Sequence, residues 1–281
     1  MKNITQQINI SNNNKFLNIH WIINTICNYK CEYCYAREDE ENWNKLSNKK
    51  IIELVLDNLR NMTEYFNITI LGGEPTLHPH INYILEQLND IPNLKNIYLI
   101  TNGSKKVINV EKLQLNVTYH PSQIKYDDFI QTLDKSYNLT ILLLFDINYI
   151  DELNKITDLD FNFILNIKYK EDKYVQLSEI EKEYLILLNN KINCVGELLF
   201  KKYNNESILL NDVDAYLQKL YFFKHWECTM MSYTIPVNSA DFYQFCTNKK
   251  MKCKMEKIIC PKDECICIRD VSNEKTRIIY K

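Results

Sequence analysis

The chain has 281 residues, a formal net charge of −2, and 36 acidic side chains against 34 lysines and arginines. Its length suits one large domain, or one domain with a small appendage, and its near-neutral charge provides no overall basic field to attract nucleic acid. No stretch reaches the roughly 18 uninterrupted apolar residues that a membrane-spanning helix needs.

The first 15 residues are polar and rich in asparagine, with no apolar core, so we expect a flexible segment and no signal peptide. Ten cysteines in a chain without an export signal favour metal ligation over disulfide bonds. These two observations predict a cytoplasmic protein.

Short apolar runs alternate with longer amphipathic segments along the first two hundred residues, which predicts repeated β/α units. The predicted strands cover residues 16–26, 68–71, 96–101, 115–119, 139–145 and 161–167. The predicted helices cover residues 48–63 (with Ser47 as the N-cap), 80–88, a weak segment near Val110, 126–133, 149–156 and 178–188.

Six such units in succession indicate parallel strands joined by crossovers. The roughly 180 residues that contain them are too few for a full eight-stranded barrel of about 250. We therefore expect an α/β fold, a partial (β/α)6 TIM-like barrel, with functional side chains at the C-terminal strand ends. The predicted division is residues 1–15, a barrel over residues 16–200, and a cysteine-rich extension over residues 201–281.

Three cysteines follow the first predicted strand in a C-x3-C-x2-C pattern: Cys27, Cys31 and Cys34. Three thiolates can hold three irons of a cubic [4Fe–4S] cluster and leave the fourth iron open to another ligand. A fourth cysteine is not nearby, since the next is Cys194. Taken alone, the loop could also bind zinc.

A glycine-containing turn follows the second predicted strand, with the sequence Gly72-Gly73-Glu74-Pro75. The third strand ends in a similar way at Thr101-Asn102-Gly103. Glycine permits a close approach of the backbone to another group, and the chain contains only four glycines. The order of these motifs, each at a strand end, indicates a binding site along one edge of the barrel.

Together, the cysteine loop and the Gly-Gly-Glu-Pro turn resemble the cluster loop and cofactor-binding turn of the radical S-adenosylmethionine (SAM) superfamily. The resemblance implies a SAM-binding [4Fe–4S] cluster held by Cys27, Cys31 and Cys34. It implies that the turn backbone receives the methionine amino group of SAM, the glycines being required because a Cβ would collide with the ligand. The implied SAM-binding residues are Tyr33 beside the adenine, Gly72, Gly73, Glu74, Pro75, Thr101, Asn102 and, at the ribose or carboxylate, Thr118.

The same resemblance supplies the reaction. The reduced cluster, served by an external one-electron reductant of the flavodoxin or ferredoxin type, would cleave SAM reductively. The resulting 5′-deoxyadenosyl radical would abstract hydrogen from a substrate held in the barrel. For Glu74 two roles stay open: accepting a hydrogen bond from the methionine amino group, or holding the loop backbone.

One histidine is the candidate catalytic residue. His120 follows the fourth predicted strand and would face the substrate or transfer a proton; the alternative is a simple turn residue before Pro121. Asn166 and Lys168 end the sixth strand and are further candidates for lining the pocket. His78 and His80 are expected on the surface.

Six cysteines lie in the last fifth of the chain, and the first two, Cys228 and Cys246, flank a predicted β-hairpin over residues 233–245. This layout is similar to the SPASM or twitch auxiliary-cluster extension of radical SAM enzymes, although its hairpin turn lacks glycine. The alternative is a structural zinc site. The candidate ligands are Cys228, Cys246, Cys265 and one of Cys260 or Cys267, with Cys253 as the spare thiol and Cys194 as a buried apolar side chain.

Three functions remain open from the sequence. The first is modification of a peptide or protein, which such extensions often accompany. The second is action on a nucleotide, nucleoside or RNA base, where lysines between residues 249 and 257 would contact phosphates. The third is a non-catalytic metal-cluster protein or sensor, which the complete Gly-Gly-Glu-Pro turn disfavours.

Overall fold

The structure, a computed structural model, describes residues 16–34, 44–170, 173–192, 198–201, 207–219, 222, 224–230, 232–244, 246–254, 256–261 and 274–276. The N-terminal segment 1–15 and the cysteines Cys194, Cys265 and Cys267 lie outside these residues. No helix in these ranges is long and apolar enough to cross a membrane.

Six strands lie side by side in chain order, each parallel to the next. They are β1 (Leu17–Asn24), β2 (Phe66–Gly72), β3 (Leu94–Thr101), β4 (Leu113–Tyr119), β5 (Asn138–Leu144) and β6 (Asn162–Asn166). The predicted partial TIM-like barrel is therefore confirmed.

Five helices accompany these strands: α1 (Lys49–Arg60), α2 (Ile81–Asn89), α3 (Tyr126–Thr132), α4 (Ile150–Ile156) and α5 (Glu179–Lys191). The predicted N-cap of α1 is wrong by one residue, because Asn48, not Ser47, accepts a hydrogen bond from the Ile51 N–H. Ser47 is buried, and its carbonyl oxygen contacts a ring nitrogen of His78 instead.

The weak helix predicted near Val110 is also wrong. Residues 102–112 connect β3 to β4 without a helix. The N–H of Ile108 donates to the side-chain oxygen of Asn82, and that of Lys112 to the side-chain oxygen of Asn89. Because α2 satisfies these backbone donors, the segment does not need helical hydrogen bonds.

The core lies between the strands and the helices. Alternate residues of β1, such as Ile19, Trp21 and Ile23, are buried against α1 and α2, and β4 to β6 pack in the same way against α3, α4 and α5. Residues between them point to the opposite face, the barrel lumen, as the strand repeat requires. Asn18, His20 and their counterparts on neighbouring strands are only partly buried there.

The predicted hairpin in the extension is present and joins the barrel. Its strands β12 (Ser232–Ile235) and β13 (Tyr243–Gln244) pair antiparallel, and β12 also pairs with β1 in parallel. Asn238, in the turn, has a φ of 61°, a left-handed conformation that asparagine tolerates well. The barrel sheet therefore has eight strands, in the order β13-β12-β1-β2-β3-β4-β5-β6.

A second, five-stranded sheet was not predicted. The remaining elements are β7 (Tyr169–Lys170), β8 (Lys173–Tyr174), β9 (Leu198–Lys201), β10 (Ser207–Leu210), α6 (Asp212–Leu217), β11 (Glu227–Met230), β14 (Glu256–Ile259) and β15 (Glu274–Thr276). The strand order of the second sheet is β10-β9-β15-β11-β14.

Candidate active site

The C-terminal ends of the six parallel strands gather the predicted site residues at one edge of the barrel. The cysteine loop follows β1, the Gly-Gly-Glu-Pro turn follows β2, and Asn102 follows β3. His120 follows β4 and Lys168 follows β6. This is the edge at which barrels of this type carry their function.

The three thiols of the cysteine loop lie close enough for Cys27 and Cys34 to affect the pKa of Cys31. The N–H of Tyr29 points at Sγ of Cys27 (3.4 Å), and the N–H of Cys34 donates to the carbonyl oxygen of Cys31 (3.3 Å). Burial raises the pKa of the Cys31 thiol, and the neighbouring Cys34 and Cys27 raise it further, whereas a hydrogen bond with Tyr33 lowers it. A metal bound here would compensate for this cost, because thiolates bind metals in place of protons.

The described residues contain no preformed site for a single metal ion, because no three cysteine, histidine or carboxylate side chains there converge on one point. A zinc ion needs its ligands around one atom, whereas a cubane binds each thiolate at a different iron. Cys27, Cys31 and Cys34 stay the candidate ligands of a [4Fe–4S] cluster.

The two glycines of the turn are required by contact with the cysteine loop itself. A Cβ on Gly72 would lie 2.1 Å from the carbonyl oxygen of Asn24, and one on Gly73 would lie 2.3 Å from that of Ile26. The N–H of Gly73 donates to Asn24 O (3.0 Å) and that of Glu74 to Ile26 O (2.7 Å). A Cβ at either glycine would therefore collide with the backbone that leads into the cysteine loop, and not with the ligand. The two glycines allow the Gly-Gly-Glu-Pro turn to pack directly against that backbone.

Glu74 is a buried hub inside the turn, with only 1% of its surface exposed. Its Oε1 accepts hydrogen bonds from the Thr76 N–H (2.9 Å), the Thr76 hydroxyl (2.6 Å) and the Thr101 hydroxyl (2.7 Å). Its Oε2 accepts from the Asn102 N–H (2.6 Å). Four donors compensate the buried carboxylate, and this geometry favours the second of its two roles, that of holding the loop.

Asn102 carries this network to the cysteine loop. Its side-chain nitrogen donates to the side-chain oxygen of Asn28 (2.9 Å), and its own side-chain oxygen accepts from the Ser104 N–H (2.9 Å). Thr101 and Asn102 are both buried. The SAM-binding residues predicted on β3 therefore hold the ends of β2 and β3 and the cysteine loop together.

His120 lies against the cysteine loop. Its Nδ1 is 2.8 Å from the hydroxyl of Tyr33 and 3.5 Å from Sγ of Cys31. Its ring stacks on Tyr33, with centroids 6.0 Å apart and planes at 19°, and meets the edge of Tyr29 at 5.8 Å. Burial lowers the pKa of His120 to about 4, so the ring is neutral near pH 7.

The same loop makes a further contact, since the Lys30 N–H donates to the side-chain oxygen of Gln123 (2.8 Å). Sequence reasoning did not single out Gln123, Asn28 or Tyr29. The packing of the β4–α3 connection on the cysteine loop reveals Gln123 and Tyr29, and the contact with Asn102 reveals Asn28.

An ion pair occupies the ends of β5 and β6. Nζ of Lys168 lies 2.5 Å from Oδ2 of Asp146 and 5.7 Å from the centroid of the Tyr33 ring. Asp146 was missed from the sequence, although it follows a predicted strand in the same way as Lys168. Thr118 and Asn166 lie on the lumen faces of β4 and β6 and are partly exposed.

His78 is buried, contrary to the surface position expected for it. Its Nε2 is 2.9 Å from the carbonyl oxygen of Ser47, and its Nδ1 accepts from the His80 N–H (3.1 Å). Burial lowers the pKa of His78. The ring therefore links the start of α1 to the segment after the Gly-Gly-Glu-Pro turn.

The described cysteines of the extension lie against the barrel core. Cys228 and Cys260 are buried, and Cys246 is partly buried against both apolar clusters. Cys228 in β11 lies opposite Ile258 in β14, and Cys260, just after β14, lies opposite Trp226, just before β11. Cys228 and Cys260 therefore lie on the same face of this strand pair. Burial raises the pKa of the Cys253 thiol.

A family model described as the radical SAM superfamily matches residues 21–184. The match covers more than half of the chain and includes the cysteine loop, the Gly-Gly-Glu-Pro turn, the second half of β1 and the whole of β2 to β6. The chain therefore belongs to the radical SAM superfamily, a class of SAM-dependent iron–sulfur enzymes.

Curated relatives are partial matches. The chain is 28% identical over 178 residues to a GTP 3′,8-cyclase of Pasteurella multocida, covering 57% of this chain and 51% of that protein. It is 32% identical over 134 residues to an S-adenosylmethionine-dependent nucleotide dehydratase of Selenomonas ruminantium, covering 46% and 42%. The chain thus spans about half the length of the curated relatives it matches.

Solved structures match over more of the chain at lower identity. Native anSMEcpe with bound AdoMet and Cp18Cys peptide superposes with a TM-score of 0.51 at 16% identity, covering 91% of this chain and 78% of that one. Streptococcus suis SuiB bound to precursor peptide SuiA gives 0.52 at 15%, covering 85% and 62%. At these identities the likeness concerns the fold.

Proposed function

We propose that this protein is a radical SAM enzyme that holds a [4Fe–4S] cluster through Cys27, Cys31 and Cys34 and modifies a peptide or protein substrate. The observation that carries the enzyme class is the seating of the cysteine loop on the Gly-Gly-Glu-Pro turn through Gly73 and Glu74. Together with SAM, a bound cluster would supply the 5′-deoxyadenosyl radical that abstracts hydrogen from the substrate.

The residues of the chain would bind, orient and exclude water. Glu74, Thr101 and Asn102 hold the ends of β2 and β3 at the cysteine loop. Tyr33 and His120 support the loop from the β4 side, and His120 remains our candidate for a substrate contact. We also propose a cytoplasmic location and a flavodoxin- or ferredoxin-type reductant.

A peptide or protein substrate is supported by two observations. Cys228 and Cys246 flank the hairpin that extends the barrel sheet, the layout that the SPASM or twitch resemblance implies. The solved structures of similar fold include two with bound peptides. We further propose that the extension carries a second [4Fe–4S] cluster, whose ligands would include cysteines outside the described residues.

A nucleotide is the second candidate substrate. It is favoured by the sequence relatives, which are named GTP 3′,8-cyclase and nucleotide dehydratase. A peptide substrate and a nucleotide substrate make different demands on the charge of the lumen, which allows them to be separated experimentally.

The enzyme class is tested by reductive SAM cleavage. We expect anaerobically reconstituted protein to form 5′-deoxyadenosine and methionine after reduction, and the combined change Cys27→Ala, Cys31→Ala and Cys34→Ala to abolish both products. Cys253→Ala is the matched control and should cleave SAM normally. Continued SAM cleavage by the triple variant would show that Cys27, Cys31 and Cys34 do not hold the catalytic cluster.

A further inference from the structure

A row of side-chain amides crosses the lumen near the N-terminal ends of four neighbouring strands. Gln114 Nε2 donates to Asn96 Oδ1 (3.2 Å), Asn96 Nδ2 to Asn67 Oδ1 (2.9 Å), and Asn67 Nδ2 to Asn18 Oδ1 (3.1 Å). Every bond runs in the same direction, so the row is one polarised chain of hydrogen bonds. We call these four residues the amide floor.

The next inward-facing layer is polar as well. Strand register places His20 opposite Thr69, Thr69 opposite Tyr98, and Asn116 opposite Thr140. All five side chains are partly exposed. In a closed barrel the corresponding layers are packed with branched apolar residues. Here the inward-facing side chains are polar and keep partial exposure to solvent, unlike those of a packed apolar core.

Apolar residues also face the lumen, nearer the cysteine loop. Ile22 lies opposite Leu71 and Leu142 opposite Ile164, whereas Ile100 has the polar neighbour Asn116 and Leu142 the polar neighbour Thr118. We call the five apolar residues, Ile22, Leu71, Ile100, Leu142 and Ile164, the apolar collar. At about 3.3 Å per residue, the amide floor lies roughly 13 Å below Ile22. The inward-facing residues of β1 to β3 therefore change from apolar beside the catalytic edge to polar at depth, whereas β4 and β6 keep the polar Thr118 and Asn166 at that edge.

The described strands β1 to β6 give the lumen no charged side chain, because no Lys, Arg, Asp or Glu occupies an inward-facing position in them. Lys95, at the start of β3, lies over the exposed ring of Tyr65 at 4.0 Å. At the opposite rim, Lys168 is paired with Asp146. A phosphate group placed in this cavity would lose its hydration without gaining the cation that phosphate sites normally supply.

We propose that the lumen binds an uncharged, hydrogen-bonding part of the substrate, as a peptide segment with neutral side chains offers, on the amide floor. This inference rests on the proposed function and names the chemistry of its substrate site. Amide groups match the peptide group as donors and acceptors. The apolar collar would surround the reacting carbon and keep water away from it.

The test introduces a cation into the lumen. Thr69→Lys changes the polar layer without touching the amide floor, and Asn96→Lys changes the floor itself. Asn61→Lys, on the exposed C-terminal end of α1, is the matched control. Binding of inorganic tripolyphosphate and of GTP is measured by anaerobic calorimetry on SAM-bound holoenzyme without divalent cations, after circular dichroism has established folding.

We expect wild type and Asn61→Lys to bind neither phosphate at millimolar concentration. At least one lumen variant should bind tripolyphosphate about tenfold more tightly or better, since a close unscreened cation contributes that much. Saturable wild-type binding that Asn96→Asp weakens would place phosphate in the lumen and overturn the proposal. Two folded lumen variants that bind no better than Asn61→Lys would overturn it too, because the cavity would then be closed.

SAM cleavage by the same preparations separates this inference from the proposed function. If the wild type cleaved SAM and also bound phosphate in its lumen, the enzyme class would stand and the substrate would be a nucleotide. If the protein did not cleave SAM but phosphate binding followed the expected pattern, the radical SAM assignment would be wrong. The uncharged, polar character of the lumen would still hold.

Discussion

Nδ1 of His120 lies 2.8 Å from the hydroxyl oxygen of Tyr33 and 3.5 Å from Sγ of Cys31, and the Tyr33 hydroxyl lowers the pKa of the Cys31 thiol. A metal-bound thiolate only accepts hydrogen bonds. With Cys31 as a ligand, the Tyr33 hydroxyl would therefore donate to sulfur, and the neutral His120 ring would donate from Nδ1 to the Tyr33 oxygen. Such a relay would make His120 a positioning residue for the cysteine loop, which is the alternative to the substrate contact proposed for it.

The first prediction concerns the reduction potential of the cluster. Removing a hydrogen bond to a ligating sulfur makes reduction harder, because the bond stabilises the more negative reduced state. A net hydrogen bond is worth about 1 kcal/mol, and 59 mV corresponds to about 1.4 kcal/mol for one electron. Tyr33→Phe should lower the midpoint potential by about 40 mV, as measured by redox titration with electron paramagnetic resonance.

His120→Ala should shift the potential in the same direction by a smaller amount, because its Nδ1 is closer to the Tyr33 hydroxyl (2.8 Å) than to Sγ of Cys31 (3.5 Å) and so acts mainly through Tyr33. Tyr29→Phe is the control: its ring still faces His120, and its backbone N–H still reaches Cys27. An unchanged potential in Tyr33→Phe would exclude the relay. If His120→Ala kept its potential and cluster but lost turnover by about 10²–10⁴-fold, His120 would instead be an acid–base group.

The second prediction separates the two roles of Glu74. Glu74→Gln keeps the shape but turns a donor toward the Asn102 N–H, leaving buried donors unpaired. We expect a loss of about 1–3 kcal/mol in the free energy of unfolding, measured by denaturant titration. SAM affinity of the folded holoenzyme should stay within a factor of about two, because the carboxylate is occupied by Thr76, Thr101 and Asn102.

The opposite result would indicate that Glu74 accepts a hydrogen bond from the methionine amino group of SAM. In that case stability would barely change, whereas SAM affinity would fall by about tenfold or more, as loss of a charge-assisted hydrogen bond requires. Thr76→Val is a useful comparison. It removes one donor to Glu74 and leaves the carboxylate charge in place.

The sequence predicted the strand order and the site edge because both depend on local patterns. Alternating apolar residues determine the strands, and parallel strands bring motifs at their C-terminal ends together. The purpose of the glycines was not predictable in the same way. Only the register of β1 against β2 shows that Gly72 and Gly73 face the backbone at Asn24 and Ile26.

Long-range contacts explain the other differences. The second sheet pairs β15 with β9 and β11, segments far apart in the chain, and no local pattern encodes such pairing. The helix expected near Val110 was lost because Asn82 and Asn89 on α2 bind the connecting backbone. His120 was correctly placed at a strand end, but its neighbours Tyr33 and Cys31 come from another loop.

The third prediction concerns metal content. If the extension holds a second cubane, reconstituted wild type should contain about eight irons and the Cys27/Cys31/Cys34 triple alanine variant about four. Cys228→Ala should lower the wild-type count by up to four, whereas Cys253→Ala should leave it unchanged. Iron and zinc are measured together by mass spectrometry. One zinc per chain, persisting in the triple variant without iron absorption, would establish a structural zinc site.

The fourth prediction concerns the pH dependence of stability through His78. Burial lowers the pKa of this ring, and Nδ1 accepts a hydrogen bond that protonation would break. Between the lowered native pKa and the unfolded value near 6.5, the unfolded chain binds a proton that the native protein does not. The stability contributed by neutral His78 is therefore complete above about pH 6.5 and is lost as the pH falls below it.

His78→Gln should consequently have a lower free energy of unfolding than wild type at pH 7.5. At pH 5.5 this difference should be smaller, by about 1.4 kcal/mol for each pH unit over which the unfolded chain is protonated at His78 and the native protein is not. Urea unfolding of the metal-free protein at the two pH values measures the effect. The same substitution at exposed His225 controls for the loss of a histidine. A His78→Gln deficit that is equal at both pH values would show that the ring contributes packing alone.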